Sequence, residues 1–164
     1  MNGMRPWITA IMSLVLTGWL GAASCAAEHR PAAAGPAPAA PYRTFASIEE
    51  ATTVCGNVVQ GITRGHVNES LDQLAVYWVL SADEYDVLRR QIMKQLDMVS
   101  GRFGRPVDAR FVRQRQVADT AAELVFVERF EKHLLRWTFT FYNPGQAWQL
   151  NAISFDDDID RLFE

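Results

Sequence analysis

In the stretch LVFVERF, residues 124–130, Leu124, Phe126, Glu128 and Phe130 fall on one side of an extended chain and Val125, Val127 and Arg129 on the other. Glu128 therefore stands in line with three large apolar residues. Such a setting disfavours the charged carboxylate and raises its pKa, as a general acid or base working near neutrality requires. The same residue at the rim of a sheet would instead reach water, or pair with an arginine such as Arg113 or Arg105, and do no chemistry. A catalytic role also needs partners, and the sequence offers no convincing one.

The remaining reactive side chains are less suggestive. Cys55 shares a helical face with Ile48, Ala51, Val58 and Ile62, the position of a buried and inert thiol rather than of a nucleophile. His29, His66 and His133 lie far apart, without the spacing of metal ligands on one helix or strand, so no metal site is expected. Asp156-Asp157-Asp158-Ile159-Asp160 has neither the glycine nor the closing glutamate of a calcium loop. It reads better as the acidic start of a short terminal helix, with Ile159, Leu162 and Phe163 packing inward. No phosphate-binding glycine loop and no nucleophile elbow is present, and no cofactor is implied.

The elements that must position Glu128 are legible from period and punctuation. Ser47 and Glu50 form a capping box that opens a first helix, with stops offered by Gly61 and Gly65. Asn68 can cap a second, with Leu71, Leu74, Ala75 and Trp78 on one stripe. Ser81 and Glu84 open a third, with Tyr85, Leu88, Ile92, Leu96 and Val99 on one face and an end at Gly101 or Gly104. From Val107 the period becomes two, giving strands over 107–118, 121–131, 134–142 and 147–155. Arg113 and Arg115 alternate with Gln114 and Gln116, which suits an edge strand better than a ligand clamp.

With Lys132-His133 as a two-residue turn, Glu128 faces Trp137, Phe126 faces Phe139 and Leu124 faces Phe141. With Pro144-Gly145 as the next turn, or within a slightly longer loop, Phe141 faces Trp148, Phe139 faces Leu150 and Trp137 faces Ala152. Both registers gather the large apolar residues on one face and leave Arg136, Thr138, Thr140, Gln149 and Asn151 on the other. The reading is an antiparallel four-stranded meander whose apolar face needs the helices to cover it. A pocket built on Glu128 would be lined by Tyr77, Trp78, Tyr85, Trp137 and Ala152.

The first residues read differently. Arg5, an apolar run from Trp7 to Leu20 and small residues from Gly21 to Ala27 have the layout of a secretory signal, residues 1–27, with cleavage near 24–27. The apolar run is shorter than the roughly 20 residues a membrane span needs. Two routes of processing are written in it. Small residues around Ser24 to Ala27 suit ordinary signal cleavage, while Ala22-Ala23-Ser24-Cys25 resembles a lipobox in which Cys25 would carry lipid. Residues 28–42 include PAAAGPAPAAP, a semi-rigid spacer. Residues 43–164 are then one domain.

Composition narrows the function classes. Removing Arg5 and Arg30 from 16 basic residues leaves 14, and removing Glu28 from 19 acidic residues leaves 18, so the domain carries −4. Nucleic acid is not an expected partner of such a domain. With Cys25 in the leader, Cys55 stands alone and no disulfide framework is expected.

Helices followed by a meander, with Gly101-Arg102-Phe103-Gly104-Arg105-Pro106 between them and WTFTFYNPGQAWQLNAISF over the last hairpin, resemble the small secreted cystatin-like or nuclear-transport-factor-2-like α+β domains of bacteria. The resemblance covers about residues 44–163 and is one of pattern and element order. It implies helices on a curved sheet that encloses a pocket, and no single function, because such domains include ligand pockets, isomerases, dehydratases, inhibitors and envelope accessories. Two functions fit these observations. One is an exported envelope accessory, periplasmic or lipid-tethered, that binds an envelope protein or a small apolar ligand. The other is a small isomerase- or dehydratase-type enzyme using Glu128 as acid and base. Homodimerisation through an exposed sheet face is compatible with either.

Overall fold

The computed structural model describes residues 42–164. The leader, its cleavage sites, Cys25 and the spacer as far as residue 41 lie outside the described residues. The element order is α1 (Ile48–Thr63), α2 (Val67–Ala75), α3 (Ala82–Phe103), β1 (Pro106–Val117), β2 (Ala121–Phe130), β3 (Leu134–Tyr142) and β4 (Gln149–Asp156), closed by a 3-10 turn at Asp160–Leu162. Three helices pack on an open, curved, antiparallel sheet in the order β1-β2-β3-β4. The α+β class and the meander thus stand as the sequence implies.

Local chemistry explains the helix ends. Ser47 Oγ accepts from Glu50 N at 3.2 Å, while the Glu50 carboxylate reaches one residue further back, to Ala46 N at 2.8 Å. The Ser81–Glu84 box is reciprocal, with Ser81 N donating to Glu84 Oε2 at 2.9 Å and Glu84 N to Ser81 Oγ at 3.4 Å. The second helix begins at Val67 without a side-chain cap, so Asn68 lies inside it rather than at its start. Gly61 does not stop α1: the helix runs on to Thr63, and Gly65 turns the chain with a φ of +88°.

One face of α1 (Ile48, Ala51, Cys55, Val58, Val59 and Ile62) and one stripe of α3 (Ile92, Leu96, Val99 and Phe103) are buried. They join Leu124, Phe126, Trp137, Phe139, Phe141 and Leu150 from the sheet in a single core. Each such large side chain contributes about 1.5–3 kcal/mol by leaving water.

The strand pairing differs from the sequence-based register in two instructive ways. Between β2 and β3 the turn is Glu131-Lys132, closed by Phe130 N donating to His133 O at 2.8 Å. Glu128 therefore lies opposite Leu135, Phe126 opposite Trp137 and Leu124 opposite Phe139. The slip is by two residues, so the same side chains still face the core. Its cause lies in the α3–β1 junction. Glu131 N donates to Arg105 O and Lys132 N to Phe103 O, both at 3.1 Å, and the Glu131 carboxylate accepts from Arg105 Nε at 2.9 Å.

Between β3 and β4 the correction changes faces. Asn143 Oδ1 accepts from Gly145 N at 2.8 Å in a loop longer than two residues, and Trp148 exchanges backbone hydrogen bonds with Phe45. An irregularity between the pairs Thr140–Ala152 and Phe141–Leu150 inserts Asn151 as an extra residue. Beyond it the parity inverts. Phe155 instead of Ala152 lies opposite Trp137, and Ala152 lies opposite Thr140 on the outer face.

The chain's end departs from expectation as well. The segment after β4 runs across the outer face, held by Arg113, whose Nη1 donates to Leu162 O at 3.0 Å. Ile159 is 38% exposed and Phe163 is 85% exposed, so neither packs into the core.

Candidate functional site

Glu128 is placed on β2 with its side chain toward the helices, and it is 2% exposed. Its Oε2 accepts from the Trp137 indole N–H at 3.0 Å. Burial pushes the carboxyl above its ordinary value, and hydrogen bonding to Trp137 and Thr63 offsets part of that rise. Neither arginine considered as its partner is used in that way. Arg105 is bound to Glu131, and Arg113 to the carbonyls of the C-terminal segment.

Of the sequence-based pocket residues, the structure brings together Glu128 and Trp137 and places the others elsewhere. Tyr77 stacks on Phe45 with ring centres 4.1 Å apart. Trp78 forms a bridge with Leu150 and meets Tyr85 edge-on at 6.4 Å. The Tyr85 hydroxyl donates to Leu71 O, and burial together with Asp72 pushes its pKa to about 12. Ala152 is on the far side of the sheet. Cys55 is fully buried and its thiol is pushed up by that burial, as an inert core residue requires.

The surface clefts do not reach the Glu128 carboxylate, which is 2% exposed, but one of them is lined by its neighbours Thr63 and Ala109. Two, of ≈ 240 and ≈ 230 Å³, follow the seam between α1 and the start of β1. The roomiest of those described, ≈ 380 Å³, is on the outer face of the sheet and is bounded by the C-terminal segment. Its polar wall is set by strand register. Arg113, Val125 and Thr138 form one row across β1, β2 and β3, and Arg115, Glu123 and Thr140 form the next. Val125 has no exposed surface although it points outward, because Arg113 and the C-terminal segment cover this part of the sheet.

Most charges around that cleft are committed. Arg136, 8% exposed, is bidentate to Asp156 at 3.3 and 2.6 Å, and Arg161 pairs with Asp158 at 3.4 Å. Arg113 Nε lies 3.9 Å from Glu123 Oε1, too far for a hydrogen bond. Among the described residues, Arg113 Nε, Glu123 Oε1 and Thr138 Oγ1 are buried atoms without a hydrogen-bond partner, and all three residues line this cleft. Arg115, also lining it, makes no ion pair among the described residues.

Sequence reasoning placed Arg136 and Thr138 on the outer face but did not see a site there. The alternation gave the face; the fold-back of residues 157–164, which supplies one wall, carries no periodic signal. Among the described residues no three metal-ligating side chains gather, and no helix is long and apolar enough to cross a membrane. Comparison with protein-family models, with curated proteins and with solved structures finds no match.

Proposed function

We propose that this protein is an exported envelope accessory that acts by binding rather than by turnover. The observation that carries the reading is the position of Glu128. The one acid marked by the sequence for catalysis is enclosed in the core and hydrogen-bonded to Trp137, on the opposite side of the sheet from the roomiest described cleft. A general acid or base must come within hydrogen-bond reach of its substrate. The leader and the Pro/Ala spacer support export, with a soluble or Cys25-lipidated mature form, and the cystatin-like or nuclear-transport-factor-2-like resemblance accommodates a binding role. A second reading keeps Glu128 as acid and base, and its raised pKa is the observation that favours it.

Native mass spectrometry of the protein purified from its host's envelope tests the choice. A bound species that leaves on gentle activation is expected, retained equally by wild type and Glu128→Gln. A bare chain with no associated molecule or protein in both would count against a binding module. Accumulation of a different bound molecule in Glu128→Gln alone would favour the enzyme. The same mass fixes the mature N-terminus and any lipid on Cys25.

A further inference from the structure

We infer that the edge of β1 docks an extended peptide segment that alternates acidic and apolar side chains and joins the sheet as a further strand; the inference rests on the binding reading above and names the partner's chemistry. β1 stands at the end of the strand order, with β2 on one side. Among the described residues no backbone hydrogen bond covers its other side. The opposite margin of the sheet is partly closed, because Leu150 of β4 bridges to Trp78, and Trp148 just before it bridges to Phe45. An unpaired edge is a template for a strand from another chain. Beside this one there is room for side chains. The clefts of ≈ 240 and ≈ 230 Å³ between α1 and β1 meet at Gln60 and Ala109. Phe111 borders this seam and is 48% exposed, although Phe126, its partner across the strands, is buried.

Charge selects the partner. The domain as a whole is acidic, yet the residues lining the seam include Arg64, Arg110 and a single acid, Asp108. Both oxygens of Asp108 accept from Arg129, and one is shared with Arg110 at 3.2 Å. Three guanidinium groups thus meet one carboxylate, and Arg64 is exposed with no ion-pair partner among the described residues. Register sets the alternation. Arg110, opposite Val127, lies on the outer face, while Ala109 and Phe111, opposite Glu128 and Phe126, lie on the helix side. A strand laid beside them places acidic side chains next to Arg110 and apolar ones next to Phe111. Two other occupants fit worse. A second copy, paired antiparallel about the middle of β1, would set Arg110 opposite Arg113 or Arg115. The chain's own residues 1–41 carry one acid, Glu28, and the prolines of the spacer lack the N–H that a strand needs.

The test uses the purified protein expressed with its own leader, followed by NMR titration and hydrogen exchange with three probes. The peptide acetyl-EVEFEVE-amide has the inferred alternation, acetyl-KVKFKVK-amide inverts its charge, and acetyl-EPEFEPE-amide keeps the charge but loses backbone donors. The first is expected to bind and to slow exchange at the amides between Asp108 and Arg113, with the other two at least about ten-fold weaker. Replacing Arg64→Gln and Arg110→Gln together, both at exposed positions, should weaken the acidic peptide about ten-fold while the folded spectrum is retained. Absence of binding at millimolar peptide overturns the inference, as does equal affinity for the lysine or proline peptide, or indifference to the paired substitution. A dimer in which the β1 amides are already protected would give the edge to a second copy and overturn it as well. Any of these failures leaves the binding reading to the envelope-derived mass, which is measured without a chosen probe.

Discussion

The Trp137 indole N–H donates to Glu128 Oε2 at 3.0 Å, joining the largest fully buried side chain of the domain to its most deeply buried carboxyl. The pair is diagonal across β2 and β3, because Glu128 itself faces Leu135 and Trp137 faces Phe126. An indole has one donor and no acceptor, so this bond satisfies Trp137 whether Glu128 is charged or neutral. Glu128 is thus explained as the polar partner a buried tryptophan needs. That structural role comes at a cost in pH sensitivity.

The cost can be measured. Burial holds the folded pKa of Glu128 above its unfolded value, so folding favours the protonated form. The resulting contribution is full below the unfolded pKa and is lost as pH rises through the folded one. Glu128→Gln keeps an oxygen for the indole and removes the titration. Its stability relative to wild type should rise with pH, from little difference near pH 4 to a gain of about 1–2 kcal/mol near pH 8. Urea unfolding at both pH values checks this, and taking the difference between the two proteins cancels the other carboxylates. Parallel stabilities across that range would refute it.

The sequence made Glu128 and Trp137 neighbours on the right face, but by a direct pairing that does not occur. Alternation fixes which face a side chain takes, and a two-residue slip preserves it, so periodicity could not distinguish the two turns. The choice is made by Arg105 and Phe103, distant in the chain, which hold Glu131 and Lys132. Asn151 is the opposite case. An extra residue inverts parity, and nothing in NAISF announces it, so Ala152 was drawn into the pocket and Phe155 left out. The helix caps at Ser47 and Ser81 were legible because each is a local contact between residues three apart. The outer-face cleft was not, because it needs four strands and a returning C-terminus.

Gly61 offers a test of packing that a helix-propensity rule would get wrong. Alanine in place of an exposed mid-helix glycine normally stabilises by about 1 kcal/mol. Here a Cβ would stand 2.1 Å from Ser70 Oγ, on the buried side of α2. Gly61→Ala should therefore cost about 1 kcal/mol by forcing the buried Ser70 hydroxyl out of its rotamer, the Ser70 Cβ itself being met at an ordinary 3.4 Å. Ser70→Gly in the same chain removes the obstructing atoms. Chemical denaturation of the four proteins in the cycle should show a favourable coupling of about 1 kcal/mol; additive effects would refute the clash between the two positions.

Gly104 ties helix end to strand register. Its φ of +85° is a conformation side chains rarely adopt, and a Cβ would lie 2.6 Å from Glu131 Oε2. Gly104→Ala should destabilise by about 1–2 kcal/mol. It should also loosen the Glu131-Lys132 turn, because that carboxylate holds Arg105. Faster hydrogen exchange at the Glu131 and Lys132 amides, which donate to Arg105 O and Phe103 O, is the expected sign. Loss of stability with unchanged exchange at this turn would separate the backbone effect from the proposed control of register.

Cys55 reports on how α1 opens. It has no exposed surface, and burial keeps its thiol protonated at neutral pH, so neither access nor thiolate is available to an alkylating reagent in the folded state. Modification by iodoacetamide should proceed only through unfolding, and its rate should rise with urea along the slope of global denaturation. Gly61→Ala, which weakens the packing of α1 on α2, should speed it in proportion to the lost stability. A rate that ignores urea at low concentration would instead show α1 opening locally from the sheet. Because α1 also covers the side of the sheet that holds Glu128, such opening would give the enclosed carboxyl a route to solvent and revive its candidacy as an acid.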